Sequence, residues 1–331
     1  MKRFLISVVA LALLVMSAHS ALAASEFRMK VHSVGSDAHP STTMLHEFKK
    51  YVEENSGGRI SVSIHNNAQL GGDRQATEAM QLGTIECGVL PTTTIASFDP
   101  RFNIFELPFI FKSHEEAYKH LDGALGEKLK EALLSQGMRI IGYGVNGFRH
   151  ISNNRGPITK PEDLKGLKIR TQENPIHIAA FKLLGSSPTP MSFSELYTAL
   201  AQKTVDAQEN PITLTYSSKF YEVQEYYSLT GHVYAVAPLV VSTIFFDRLP
   251  EDLQKVVLDA GKLYADGERK STVELEGQML QELKNHGMKV NELTPEELEV
   301  FKKTTLPVYK EFESKIGTDL LNMILKGEEA S

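Results

Sequence analysis

Residues Gly166–Ile212 read GLKIRTQENPIHIAAFKLLGSSPTPMSFSELYTALAQKTVDAQENPI, and the order of elements in this stretch decides the fold. A short strand ending on Arg170 leads into a helix, a turn of small residues and proline, a second helix, and a second short strand closing on a polar run. The pentapeptide QENPI occurs twice, at Gln172–Ile176 and at Gln208–Ile212. In each copy an asparagine precedes a proline, which biases the asparagine toward extended geometry and suits the proline to the first position of a helix. Asn174 and Asn210 are therefore expected as helix N-caps or turn residues where a strand gives way. Strand ends beside helix N-termini commonly hold anions, because free N–H groups and the helix dipole both favour negative charge. The stretch is expected to form one wall of a binding site.

Outward from it the chain keeps an α/β rhythm. Phe27–Ser33 and Arg59–His65 alternate as strands, an amphipathic helix carrying Met44, Leu45, Phe48 and Val52 lies between them, and Ile85–Leu90 is a more continuously apolar third strand. That βαβαβ order implies a largely parallel sheet. Two helices within Ser113–Gln136 precede a strand at Met138–Tyr143. From Leu249 the pattern is helical to about His286, long enough to serve two lobes, and Thr294-Pro295-Glu296-Glu297 has capping-box spacing.

At the start, Lys2 and Arg3 precede an apolar run from Phe4 to Met16, and Ala21-Leu22-Ala23 supplies small residues for cleavage. Residues 1–23 are expected to be a secretory signal peptide, too short to span a membrane. About 308 residues would remain, with 33 basic against 41 acidic side chains and a net charge of −8. That balance disfavours nucleic acid and anionic membrane surfaces as partners. The length exceeds one comfortable core and implies two lobes. Cys87 is alone, so no internal disulfide can form, and its apolar surroundings make it a small buried hydrophobe.

Familiar chemical motifs fail on context. Gly142-Tyr143-Gly144-Val145-Asn146-Gly147 matches GxGxxG after a strand, but Phe148–Ser152 is β-like and not the helix that would hold a pyrophosphate. His114 and His120 are six apart, which misses HExxH, and no GxSxG elbow or P-loop is present. No cofactor or metal is expected. What remains are polar residues at element ends. Leu167 and Ile169 face one way and Arg170 the other, where a guanidinium takes a carboxylate bidentately or else sits in a surface or structural ion pair. Arg149 carries the same two readings. Asp73 and Arg74 fit a helix start, and Phe193 fits either core or an aromatic wall over a ligand.

Four segments, QLGGDR at Gln69–Arg74, GLKIRTQENP at Gly166–Pro175, GSSPTPMSFSELYTAL at Gly185–Leu200 and VDAQENP at Val205–Pro211, together resemble the solute receptors of tripartite ATP-independent periplasmic (TRAP) transporters, of the dicarboxylate-receptor (DctP) type. The resemblance runs from Phe27 to the C-terminal helices. It implies an α/β, two-lobed periplasmic-binding-protein-like clamshell with a long helix spanning both lobes: 24–146 plus 235–274 as lobe I, and 147–234 plus 275–331 as lobe II. It implies that Arg170 pairs with a ligand carboxylate, that Arg149 supplies a second cation, that Asn210 donates an amide hydrogen bond, and that Asp73 and Phe193 line the site. The receptor would be an exported monomer in the periplasm, delivering its ligand to the small and large subunits of a membrane permease driven by an ion gradient.

Two departures bear on the ligand. Where some acid-sugar receptors carry a glutamate, this chain has Pro91-Thr92-Thr93, and Glu173 stands where a small amide occurs in some members. Both argue against a bulky sialic-acid-like ligand, and Thr92 and Thr93 with His39 and Ser41 suit a smaller hydroxylated acid. Dicarboxylates, uronates and other sugar acids, hydroxy- or keto-acids, and a sulfonate such as isethionate all satisfy one arginine. Rival readings are a periplasmic enzyme using Glu173 or His177 as a base, and a sensor subunit for the same acid.

Overall fold

Alternation at Phe27–His32 (β1) and Ile60–His65 (β2), and the apolar Cys87–Val89 (β3), produces the expected parallel set: β1 pairs with both β2 and β3 in parallel. The computed structural model describes residues 25–326, so the expected signal peptide lies outside the described residues. Two further strands, Met138–Gly142 (β4) and Leu239–Ser242 (β10), complete a five-stranded sheet in the order β2-β1-β3-β10-β4, with β10 antiparallel to its neighbours. A six-stranded sheet contains Val145–Asn153 (β5), Lys168–Thr171 (β6), Ser187–Pro190 (β7), Ala207–Pro211 (β8), Tyr226–Val236 (β9) and Lys289–Glu292 (β11), in the order β11-β9-β5-β8-β6-β7. Each sheet centres one lobe of a two-lobed α/β clamshell.

The chain passes between sheets at Tyr143-Gly144, from β4 to β5, and at Ala237-Pro238, from β9 to β10. We propose the lobe boundaries there, beside the expected 146/147 and 234/235. The GxGxxG-like run is thus a crossover. Its glycines answer to packing: a Cβ on Gly142 would lie 2.2 Å from the Gly261 carbonyl oxygen, and one on Gly261 would lie 2.5 Å from that of Ile141. Gly147 has φ +92°, a conformation that side-chain-bearing residues rarely adopt.

Gly261 belongs to the helix Glu251–Asn285, 35 residues and about 52 Å long at 1.5 Å per residue. Its first half buries Leu253, Val257, Ala260 and Tyr264 in the core of β1, β3 and β10, while Met279 and Leu283 enter a separate cluster with Ile212, Tyr227 and Met288. One rigid element therefore contributes to both cores. Thr294 and Glu297 form the expected reciprocal capping box, at 3.2 and 2.8 Å. Cys87 is fully buried, and burial pushes its thiol pKa up.

Two expectations change. The segment read as a turn, Ser187–Pro190, is a strand paired in parallel with β6; as an edge strand it tolerates Pro188 and Pro190, which lack a backbone donor. The C-terminal helices Pro307–Ile316 and Thr318–Leu325, assigned from the sequence to lobe II, bury Val308, Phe312, Ile316 and Leu320 in a cluster that holds both Phe102, Ile104 and Phe105 and the lobe II residues Ile176 and Ala180, and we propose that they serve both lobes. The apolar face of that pair matches the first lobe's open side, and Tyr309 Oη fixes it by donating to the Pro108 carbonyl at 2.7 Å.

Adding one methyl at the helix crossing tests this packing. Gly261→Ala is expected to cost about 1–3 kcal/mol by overpacking, lowering Tm by several degrees in a thermal melt, whereas Gly277→Ala, which meets nothing within 4 Å, is expected to be neutral or stabilising.

Candidate functional site

Two partly open cavities, of about 40 and 30 Å³, lie between the lobes and share Asp73, Thr93, Gln172 and Phe193 in their walls. Each is large enough for a few water-sized groups. The larger is lined on one side by His39, Ser41 and Thr92 and on the other by Arg149 and Asn210, with Glu106 between; the smaller holds Arg170 and Glu173. A bond from Gln172 Nε2 to Thr93 Oγ1, 2.9 Å, runs across the lobes where the cavities adjoin. The expected site residues are therefore gathered in one place, although not all in the expected roles.

Arg170 is reached by β6, whose Ile169, with the preceding Leu167, enters the lobe II core. Its side chain is buried, 2% exposed, and Nε and Nη2 both donate to the Met191 carbonyl at 3.0 and 2.8 Å. Nη1 is buried and has no partner. Burial lowers the guanidinium pKa to about 10, opposed by Glu209, so the group stays charged at neutral pH. A buried cation with an unsatisfied donor is poised for an anion.

Arg149 is differently placed from the expectation of a second free cation. It sits on β5 opposite β8, and its Nε and Nη2 clamp the Glu209 carboxylate, the Oε1 contact measuring 2.8 Å; Nη2 also reaches the Glu209 carbonyl and Asn210 Oδ1, the latter at 3.1 Å. Its charge is balanced inside the protein, although Nη1 makes none of these bonds. Glu209 is fully buried: desolvation raises its pKa, but Arg149 with hydrogen bonds from His177 and His232 outweighs that and holds the carboxyl well below its ordinary range. His177 Nε2 lies 3.0 Å from Glu106 Oε2 and its Nδ1 3.8 Å from Glu209 Oε1. Burial disfavours the imidazolium, yet the two carboxylates together raise its pKa. Sequence reading missed Glu106 and Glu209. The available signal was an acidic residue in an apolar setting, Glu209 inside a segment expected to be a strand and Glu106 within the apolar run Ile104–Phe111, each of which calls for a neutralising partner.

Asn174 caps the helix Pro175–Leu183 as expected, accepting from Ile176 N at 2.9 Å. Asn210 does not cap: it lies inside β8, whose backbone is held extended by pairing with β5, and its amide donates to Gln208 Oε1. A second amide hydrogen remains for a ligand. Thr92 Oγ1 donates to Glu106 Oε1 at 2.6 Å or to Val236 O at 3.1 Å, so it meets a ligand as an acceptor. His39 Nδ1 accepts from Ser41 N at 3.2 Å, which leaves the proton on Nε2, a buried donor without a partner. Burial holds its pKa down at about 4. Asp73 begins the helix Asp73–Gln81, with Oδ1 3.5 Å from His32 Nε2. Phe193 packs edge-on to Phe220 at 6.0 Å and walls both cavities, so core and ligand wall are both realised. Glu173 is exposed at the rim of the smaller cavity. Among the described residues no group of three or more His, Cys, Asp or Glu could hold a metal ion.

The chain matches the family described as bacterial extracellular solute-binding protein, family 7, over residues 31–315. It is 34% identical over 271 residues, 82% of each chain, to the 2,3-diketo-L-gulonate-binding periplasmic protein YiaO of Escherichia coli (strain K12). Among solved structures it resembles a TRAP periplasmic solute-binding protein from Polaromonas sp. JS666 bound to D-erythronate, with TM-score 0.87, 36% identity and coverage of 90% and 98% of the two chains. It also resembles the sugar acid binding protein DctPAm from Advenella mimigardefordensis in complex with galactonate, with TM-score 0.89, 35% identity and coverage of 92% and 98%.

Removing one partner of the buried pair should be costly. Glu209→Ala is expected to lose about 3–5 kcal/mol, a Tm drop on the order of 10 °C, because Arg149 is left buried and unpaired. The buried histidines set the pH dependence. His39 and His150 have folded pKa values lowered to about 4 and about 3 by burial, and His232 is lowered too, so the unfolded chain protonates first as pH falls below 6.5. Glu268, raised to about 7 by burial, opposes them between 4.5 and 7 but is one group against three. His177, with its raised pKa, loses its contribution as pH climbs through its folded value. Tm measured against pH is expected to peak near neutrality and fall on the acid side, with a shallower acid slope in His150→Gln.

Proposed function

This chain belongs to the bacterial extracellular solute-binding proteins of family 7, and we propose that it serves as the receptor of a TRAP transporter, capturing a small organic acid between its lobes. The observation that carries this reading is Arg170: fully buried, charged, positioned by the Met191 carbonyl, and left with Nη1 unpartnered beside the interlobe cavities. A carboxylate there completes the donor set and neutralises a charge that is otherwise costly to bury.

Because walls of both cavities come from both lobes, a ligand enters only when the lobes part. Three side-chain contacts then re-form on closure, Gln172 to Thr93 at 2.9 Å, Asn174 to Asn103 at 2.9 Å and His177 to Glu106 at 3.0 Å. Closure removes water and strengthens the contact between carboxylate and Arg170. A ligand that bridges the walls shifts the population to the closed form, and the closed form is what the small and large permease subunits would recognise before ion-driven uptake. The name of the Escherichia coli relative supports a periplasmic location. The role is capture without conversion: of the two candidate bases, His177 lies behind the cavity walls with Nε2 3.0 Å from Glu106, and Glu173 is exposed at the rim of the smaller cavity.

Protein unfolded and refolded to remove bound ligand should respond in a thermal-shift screen of carboxylates and sulfonates. An acid at a hundred times its Kd is expected to stabilise by about 2.7 kcal/mol, and Arg170→Ala is expected to abolish the response while the acid is recovered chemically unchanged. A response equal in Arg170→Ala, or turnover of the acid, would remove this reading.

A further inference from the structure

The charges around the cavities point to the ligand's class. Resting on the receptor reading above, we infer that the site selects a hydroxylated monocarboxylate and rejects dicarboxylates of the same length, with His39 and Glu106 reading the end remote from Arg170.

The argument begins with charge balance. Arg149 is neutralised by Glu209, and His177 by Glu106. Arg74 is exposed and pairs with Glu78 at 3.3 Å. Among the described residues lining the two cavities, Arg170 is therefore the one buried cation without a carboxylate in contact, and the more distant Asp73, 3.5 Å from His32, and the exposed Glu173 add negative charge near it, so the site offers compensation for at most one negative charge.

The remote end is built for neutral polar groups. His39 Nε2–H is a buried donor with no partner, fixed in that tautomer by the bond from Ser41 N to Nδ1. The Glu106 carboxylate, held by Thr92 at 2.6 Å and His177 at 3.0 Å, keeps lone pairs for another donor. A ligand hydroxyl satisfies both, accepting from His39 and donating to Glu106. A second carboxylate would meet the Glu106 charge, and no cation would offset its burial. An apolar terminus would leave His39 unsatisfied. The Thr93 and Gln172 groups between the ends add further hydrogen-bonding capacity along the chain of a polyol acid.

The test uses the refolded full-length mature protein and pairs of acids that differ in replacing the terminal CH₂OH by a carboxylate: erythronate and meso-tartrate, ribonate and ribarate, galactonate and galactarate. Titration calorimetry is expected to show, for the length that binds best, about a hundredfold tighter binding of the monoacid. Glu106→Gln is expected to shrink that ratio to within about tenfold by removing the repelling charge. Should Glu106→Gln not fold, His39→Gln reads the same end, and is expected to weaken the monoacid about tenfold while leaving glycolate, too short to reach it, unchanged. Equal or tighter Arg170-dependent binding of a diacid, or of acids without hydroxyls only, overturns this inference and leaves the receptor reading intact. No Arg170-dependent binding of any acid, single or double, removes both.

Discussion

The buried ion pair between Arg149 and Glu209 is the constraint around which the site is built. It joins β5 to β8 by side chains as well as by backbone pairing, and it lies fully out of water. Charges so buried persist only with near-complete compensation, and Glu209 obtains it from Arg149, His177 and His232 together. His177 passes the chain of charge on to Glu106, and Glu106 to Thr92, across the cleft. Neutralising one arginine leaves the other, Arg170, as the buried guanidinium whose Nη1 has no partner.

Closure and rigidity come from a different part of the chain. The lobes are joined by two short strand-to-strand passages and by one helix whose two halves belong to different cores. Where that helix crosses β4, backbone meets backbone at Gly142 and Gly261, which leaves no slack at the crossing. Beside it, the buried Glu268 carboxylate accepts from Val145 N at 2.8 Å, pinning the first residue after the crossover. The interlobe contacts of Gln172, Asn174 and His177 come from one six-residue stretch of the second lobe, at the strand-to-helix junction.

Much of this was legible in the linear chain. The alternation of Phe27–His32, the capping box at Thr294, the long helical run from Glu251 and the placement of Leu167 and Ile169 opposite Arg170 follow from local periodicity and propensity, which act over a few residues. So did the family, from four motifs in register, and many of the residues that meet at the cleft, though not Glu106. The pairing of those residues was not legible. The two QENPI copies are identical in sequence, yet Asn174 caps a helix while Asn210 lies in a doubly paired strand.

The sequence by itself determined the elements, the class of the fold and the identity of Arg170, since each depends on spacing along the chain. Only the tertiary structure decided that Arg149 is spent on Glu209, that the last two helices pack on residues of both lobes, and that Glu106 stands in the wall with His177 bonded behind it. Glu106 and His177 are 71 residues apart, Arg149 and Glu209 are 60 apart, and no local rule couples charges at such separations. What couples them is the cost of burying each one alone, and that cost exists only once the lobes have packed.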